Sequence, residues 1–315
     1  MRVWTAAYAL SSKQNLGAKA RSTLRRGALL KIEDEGAIGY ADLHPWPELG
    51  DAPLEKQLTL LKDGARSALL DRALEISALD RQARAHGKSL FAGLEIPDSH
   101  FLVGDVATID EECLRTAWSE NFRTLKLKVG RDPMREIDHL LRFEKDLSAF
   151  DLRFDCNGVL SAAEAKSWLL ALPESIRKRI EFVEDPCAGS ESDWRKLHDE
   201  TGCPLALDRA GHAVSANAFQ WLVLKPAVQD PALADQTEAQ VCVTSYLDHP
   251  LGQVAAAFVA AKLGGAARAG LNSHRVYEKN EFSEQLTWRG PRFTVPDGTG
   301  LGFDRLLEIQ DWQRL

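Results

Sequence analysis

The sequence predicts an α/β fold, a closed (β/α) barrel with an α+β unit ahead of it. Three observations lead there. From about residue 100, short runs rich in Val, Leu and Phe alternate with longer helical patterns. Residues 1–95 follow a different order, strands first and helices after. Ionisable residues stand at the ends of five successive apolar runs. Strand–helix alternation at this spacing marks a parallel sheet.

Residues 1–95 come first. VWTAAYAL and ALLKIEDEGAIGYADL read as antiparallel strands joined through loops, and the stretch from LEKQ to RQARAH as one long helical region. That order makes an α+β capping domain. The barrel is expected over 96–290. Its strand candidates are HFLVGD (100–105), TLKLKVG (124–130), LRFDCNG (152–158), IEFVEDP (180–186), PLALDRA (204–210), WLVLKPA (221–227), VCVTSYL (241–247) and ARAGLNS (267–273). Eight runs favour a closed barrel over an open doubly wound sheet. The first and eighth carry the weakest signal, and GHAVSANAF after the fifth is a poor helix. PMREIDHLLRFEKDL and SAAEAKSWLLAL are helical patterns between strands. Residues 291–315 return to a mixed pattern and are expected to complete the capping domain.

A chain of 315 residues, 44% hydrophobic and 27% charged, can bury a sizeable core without disulfide or metal staples. A net charge of −7 removes the electrostatic case for nucleic-acid binding. The five cysteines are odd in number and lack CxxC spacing, which argues against a disulfide framework or a zinc site. They are expected to be mostly buried, reduced and inert. The N-terminus shows no signal-peptide pattern, and no apolar stretch reaches the ~18 residues of a membrane span. A cytoplasmic location and a small-molecule carboxylate partner are expected, with neither nucleic acid nor membrane. Both a monomer and a homo-oligomer fit the sequence.

A parallel barrel strand is covered on both faces, so a charge within it is costly unless paired or used. At the C-terminal strand ends the charge has an outlet, because active sites open there. Lys126 and Lys128 end the second run on one face, and Asp155 and Asn157 end the third. Glu184 ends the fourth, Asp208 the fifth and Lys225 the sixth. Singly, each acid reads as a loop cap and the Lys-x-Lys pair as a solvated edge; the repetition over five strands argues for a site. Three carboxylates at one mouth raise each other's pKa unless a cation sits among them. An all-oxygen set favours Mg2+, with Mn2+ the alternative, and disfavours zinc. A lysine base at neutral pH needs a lowered pKa, which a neighbouring ammonium, a divalent cation and burial all promote. The pattern reads as proton abstraction α to a carboxylate, with the enediolate charge stabilised by the metal.

In order, KLKVG, RFDCNG, EFVEDPC, ALDRA and VLKP resemble the motifs of the muconate-lactonizing branch of the enolase superfamily. Within that branch the chain resembles the o-succinylbenzoate synthases most, over nearly its whole length. Superfamily sites pair a Lys or His base with one or two Mg2+ ions. The resemblance implies a modified TIM-type (β/α)7β barrel with an N-terminal capping domain. It implies a magnesium-dependent lyase of menaquinone biosynthesis, which dehydrates 2-succinyl-6-hydroxy-2,4-cyclohexadiene-1-carboxylate to o-succinylbenzoate with syn stereochemistry. Asp155, Glu184 and Asp208 would then ligate the metal. Lys128 would take the α-proton and return it to the departing hydroxyl. Lys126 would tune Lys128 and approach the substrate carboxylate, and Lys225 would stabilise the enediolate from the other face. Asn157 would support the metal site from behind. Thr244 and Ser245 either face the succinyl group or simply cap the next helix. Gly270 matches a glycine that lets the backbone approach the ligand. Asn272 stands where an aspartate is more usual.

Dipeptide epimerase or N-acylamino acid racemase chemistry on the same scaffold is the alternative, with Lys128 and Lys225 on opposite faces of the α-carbon. The Asp-x-Asp signature of such epimerases is missing from LNSHRVYEKNEF. Muconate cycloisomerase chemistry is a weaker option. A catalytically dead barrel would have lost one of the three lysines or three acids, and all six are present. Loops 11–22 and 43–51 are lid candidates, with Trp46 either a rigid turn plug or part of the lid. Arg209 follows Asp208 where many relatives carry Glu, and Asp185 is a mild variation. His44, His212, His249 and His274 are expected at surface or capping positions. Trp4, Trp118, Trp168, Trp194 and Trp221 are expected in core or helix packing.

Overall fold

The structure, a computed structural model, describes residues 1–13, 16, 22–208, 218–264 and 267–315. Strands β1 (Arg2–Ser11), β2 (Leu24–Asp34) and β3 (Ala37–Leu43) form an antiparallel meander. The β2–β3 turn is Glu35-Gly36, with φ of 52° and 80°. Two successive positive φ values make the turn whose twist matches a hairpin. The long helical stretch is two helices, α1 (Leu54–Lys62) and α2 (Ala68–Ala85). Gly64, at φ 70°, follows the first, and the Ser67 side chain caps the second by accepting from Leu70 N. Helix α2 lies directly on β3, because a Cβ on Gly39 would stand 2.0 Å from the Ser77 carbonyl oxygen. Leu30, Ile32, Ala41 and Leu43 pack here on Leu61, Leu69 and Leu70. Each buried leucine or isoleucine contributes about 1.5–3 kcal/mol.

Seven parallel strands follow, each hydrogen-bonded to its sequence neighbour. They are β4 (Phe101–Val103), β5 (Thr124–Lys128), β6 (Asp151–Asp155), β7 (Ile180–Glu184), β8 (Leu205–Asp208), β9 (Trp221–Leu224) and β10 (Gln240–Val243). Between them run α3 (Glu111–Ser119), α4 (Pro133–Arg142), α5 (Glu144–Leu147), α6 (Ala162–Ala171), α7 (Glu174–Arg177) and α8 (Glu191–Thr201), with α9 (Pro250–Leu263) after β10. Capping boxes at Ser161 and Ser190 start α6 and α8.

The eighth run closes the barrel with single bridges on both sides. Ala269 pairs with Ser99 and Gly270 with Thr244, both parallel. Four backbone bonds of 2.7–3.0 Å hold the closure, two to the start of the first run and two to the end of β10. The modified barrel with its antiparallel cap is therefore present, with the eighth strand reduced to its pairing minimum. One unit departs from the alternation: β9 and β10 are joined by a 3-10 turn, Pro231–Gln236, capped by Asp230. Residues 211–217 of the poor-helix segment, with His212 and Arg209, lie outside the described residues, as does most of the candidate lid 11–22. The C-terminal Gln313–Arg314 pairs with β1. Leu301 N donates to Asp80 Oδ1 at 2.7 Å, tying that tail to α2. Among the described residues no helix is long and apolar enough to cross a membrane.

Several histidine and tryptophan expectations are corrected. His44 is buried, not at the surface, 2.8 Å through Nδ1 from the Tyr8 hydroxyl. His249 does cap α9, accepting from Leu251 N, but is buried as well. His274 stacks on Trp288. Trp118 is 46% exposed, with the Arg123 guanidinium 3.8 Å from its ring, so cation–π contact and an edge against Phe150 replace core burial. Four cysteines are buried, Cys113 is half-buried, and all five are free.

His44 belongs to a polar seam between cap and barrel. Tyr8 donates to Asp42 Oδ1 at 2.5 Å, and His249 N donates to Asp42 Oδ2 at 3.1 Å. Asp248 faces Asp42 across Gly252, whose missing Cβ would lie 2.6 Å from Asp42 Oδ2 and 2.7 Å from Asp248 Oδ2. Burial pushes the Asp248 carboxyl up to about 7, and burial with the facing Asp248 raises Asp42. A raised carboxyl contributes stability that is complete below its unfolded pKa of about 4 and lost as pH rises through about 7. Asp248→Asn should therefore melt several degrees higher than wild type at pH 8 and within about a degree of it at pH 4.5. Thermal melts across that range check it; parallel curves would refute the coupling.

Candidate active site

The strand register sets the site. Lys128 pairs with Asp155 across β5–β6, and Asp155 with Glu184 across β6–β7. Glu184 pairs with Ala206, and Asp208 with Val223, so the alternation turns all of these side chains toward the barrel axis. They surround the floor of a cavity of about 490 Å³ at the C-terminal ends of the strands. Lys126, Lys128, Asp155, Asp208 and Lys225 line it, while Glu184 lies just beneath, held by Lys126.

Lys126 Nζ bridges two acids, 2.6 Å from Glu184 Oε2 and 3.1 Å from Asp155 Oδ2. One cation spanning both means that their oxygens converge on a point. Burial alone would lower the Lys126 pKa, but Asp155, Glu184 and Asp208 more than offset it, and the ammonium is held above its ordinary value. Glu184 is pushed up to about 7 by burial and by Asp155. Asp155 resists the same burial because Lys126, Lys128 and Lys225 hold its carboxyl below the ordinary range.

Lys128 differs. Among the described residues its Nζ pairs with no carboxylate, and it donates to the Leu16 carbonyl at 2.6 Å. Burial lowers its pKa, Asp155 opposes that, and Lys126 and Lys225 push it down further. On the opposite wall Lys225 Nζ is ion-paired with Asp208 Oδ2. The other oxygen, Asp208 Oδ1, is buried with no hydrogen-bond partner among the described residues. Asn157 contributes through its backbone, N to Asp155 Oδ1 at 3.1 Å, from a left-handed φ of 52°.

Asp185, taken from the sequence as a mild variation, is structural here. It sits at φ 42° with Oδ1 accepting from Asp208 N at 3.0 Å, which fixes the β8 end. Burial, then Asp208 and Glu184, raises its pKa far above the ordinary range.

Thr244, Ser245 and Gly270 line the far side of the cavity. Ser245 Oγ donates to the Gly270 carbonyl, while Thr244 Oγ1 is buried without a partner among the described residues. Neither hydroxyl caps α9, whose cap is His249. Trp46 lines the cavity, and the Arg25 guanidinium lies 3.7 Å from its ring. Arg25 also makes a two-pronged ion pair with Glu48, so loop 43–51 is clamped in place over the cavity. Arg25 carried no sequence signal, since only the tertiary stack gives it a role. Trp194, expected in helix packing, also reaches the cavity wall.

Among the described residues no three His, Cys, Asp or Glu side chains are already grouped as a metal cluster. The donor set still fits a hard cation. Two carboxylates converge on one point, and the third, Asp208, lines the same cavity and has a buried oxygen with no partner among the described residues.

Two family models match, "O-succinylbenzoate synthase, N-terminal domain" over residues 3–83 and "Enolase C-terminal domain-like" over 109–229. An o-succinylbenzoate synthase of Bdellovibrio bacteriovorus is 34% identical, covering 98% of this chain and 97% of that protein. In fold, the chain resembles the N-succinyl Arg/Lys racemase of Bacillus cereus, with a TM-score of 0.80 at 17% identity over 100% of both chains. It also resembles the L-Ala-D/L-Glu epimerase of Bacillus subtilis, with a TM-score of 0.78 at 21% identity over 96% of this chain and 98% of that one. The capped barrel with its ring of strand-end acids and lysines makes the chain a member of the enolase superfamily. Within it, the chain belongs to the o-succinylbenzoate synthase family, whose members are hydro-lyases.

Proposed function

We propose that the chain dehydrates 2-succinyl-6-hydroxy-2,4-cyclohexadiene-1-carboxylate to o-succinylbenzoate, a step towards menaquinone. The observation that carries this is the division of labour among the lysines. Among the described residues Lys128 is the one of the three lysines that pairs with no carboxylate; burial lowers its pKa, and Lys225 faces it across the cavity. Asp155, Glu184 and Asp208 would hold Mg2+, with Lys126 and Lys225 giving up their present ion pairs to it. When bound, such a cation supplies Lewis-acid stabilisation to a carboxylate whose neighbouring carbon is losing a proton.

The chain's own groups do the rest. Neutral Lys128 Nζ takes the α-proton and becomes an ammonium. The ammonium groups of Lys126 and Lys225 lie against the developing enediolate charge in a partly water-excluded site. Lys128 then passes its proton to the hydroxyl on the same ring face, the C–O bond breaks, and water leaves as the ring becomes aromatic. Asn157 holds Asp155 in orientation through its backbone amide. Thr244, Ser245 and Gly270 form the wall on which the succinyl arm rests.

The second reading is racemisation or epimerisation of an N-acylamino acid or dipeptide. It draws on the opposed Lys128 and Lys225, and on the fold shared with the racemase and epimerase above. Purified protein given the cyclohexadiene substrate with Mg2+ should form o-succinylbenzoate at roughly 1–1000 per second. The product absorbance follows it. No turnover with a folded, metal-binding protein, together with α-proton exchange into N-acylamino acids or dipeptides in D2O, would move the assignment to the second reading.

A further inference from the structure

His100 stands just before β4, and alternation from Leu102 turns it into the barrel, where both line the cavity. It is 4% exposed. Arg153 Nη1 lies 2.9 Å from His100 Nδ1. Arg153 is itself fully buried, with Nε donating to Glu181 Oε2 at 2.7 Å and Nη1 to Cys242 Sγ at 3.2 Å. A guanidinium has donors only. His100 Nδ1 must therefore accept, and the single ring proton of the neutral imidazole resides on Nε2. Burial, then the charges of Arg153 and Lys126, hold the imidazole neutral by lowering its pKa well below the ordinary value.

The Nε2 edge turns toward Gly270. A Cβ there would lie 2.6 Å from His100 Cε1 and 2.9 Å from Nε2, so only glycine leaves this edge its space. No described residue accepts from Nε2. Thr244 Cγ2 meets the same Gly270 position, and the hydroxyl of that residue is buried with no partner among the described residues. The imidazole edge and Thr244 thus share one corner of the floor, where Thr244 N donates to the Leu224 carbonyl at 2.9 Å on the strand before Lys225, with a buried guanidinium behind the imidazole.

We infer that His100 is a substrate-binding residue whose Nε2–H, oriented by Arg153, donates to the remote carboxylate of the substrate's acyl arm, with Thr244 Oγ1 as the second contact. An anionic acceptor is favoured over the arm's ketone because the Arg153 charge polarises the imidazole toward donation. The inference rests on the proposed dehydration and names the group that selects its substrate.

The test uses two substitutions at His100 in the Mg2+-loaded protein. His100→Asn places an amide oxygen where Nδ1 accepts from Arg153 but reaches no further, so the inner ion network keeps its partner. His100→Gln restores a donor at the distance of Nε2. His100→Asn should raise KM and the inhibition constant of o-succinylbenzoate roughly 10- to 100-fold, with kcat within about threefold. His100→Gln should recover most of that loss. Against the monomethyl ester of the aliphatic carboxylate, wild type and His100→Asn should bind alike. Unchanged KM in His100→Asn, equal losses in both variants with a lowered Tm, or a penalty that persists against the ester would each overturn the inference while leaving the reaction standing. A wild type that neither turns over the substrate nor binds the product would instead bring down the proposed reaction, and the inference with it.

Discussion

Replacing Lys128 with alanine is expected to lower kcat roughly 10⁴-fold, the upper range for losing a positioned general base. Neither neighbour can substitute. Lys126 stands on the acid side of the site, against Asp155 and Glu184, and once it yields them to the cation its ammonium would lie against the substrate carboxylate instead of the α-carbon. Lys225 approaches from the opposite wall, on the face of the ring away from the departing hydroxyl. Lys128→Arg should be equally inactive, because a guanidinium does not deprotonate. The fold should survive. A lysine with a lowered folded pKa is a buried cation that the native state disfavours, so its removal should leave Tm unchanged or raised. Wild-type kcat/KM should rise with pH as Lys128 loses its proton, and that ascending limb should vanish from the residual rate of Lys128→Ala. A variant within tenfold of wild type would remove Lys128 from the role of base.

The barrel and the placement of the strand-end residues were legible because one physical rule repeats. A strand covered on both faces tolerates charge only at the end where the site opens, and Lys126, Asp155, Glu184, Asp208 and Lys225 each meet that rule on a separate strand. The eighth strand was faint because closure needs only two bridges there. The break between α1 and α2 turns on Gly64 and Ser67, whose signals are small against a long periodic stretch. Arg25, His100 and Arg153 were invisible for another reason. Each acquires its role from partners far away in sequence: Arg25 from Trp46, and Arg153 from His100 and Glu181. His44 was misread because no ligand spacing among the histidines gave it a role, whereas its partner Tyr8, itself bonded to Asp42, comes from a distant strand and lets the ring be buried in the seam. Asp185 reads as a spare acid until its contact with the Asp208 backbone is seen.

Removing Mg2+ should abolish turnover and also change stability, and the second effect separates metal binding from catalysis. At a concentration about 100 times Kd, a cation bound only by the native state adds about 2.7 kcal/mol, or several degrees in Tm. The carboxylates account for the expected pH dependence. Glu184 titrates near 7 because burial and Asp155 oppose its charge, and a protonated Glu184 is a poor ligand. Apparent Mg2+ affinity should therefore be nearly constant above pH 8 and weaken roughly tenfold per unit below 7, one proton competing with one cation. Glu184→Gln should lose both the affinity and its pH dependence. Asp208→Asn should lose affinity while keeping the slope, since Asp208 carries the orphaned oxygen and Glu184 would still carry the titrating one. Melting curves with and without Mg2+ and EDTA, taken from pH 6 to 8.5, read all three. A Tm indifferent to Mg2+ at every pH would show that Lys126 and Lys225 do not yield their carboxylates, and the metal assignment would fall.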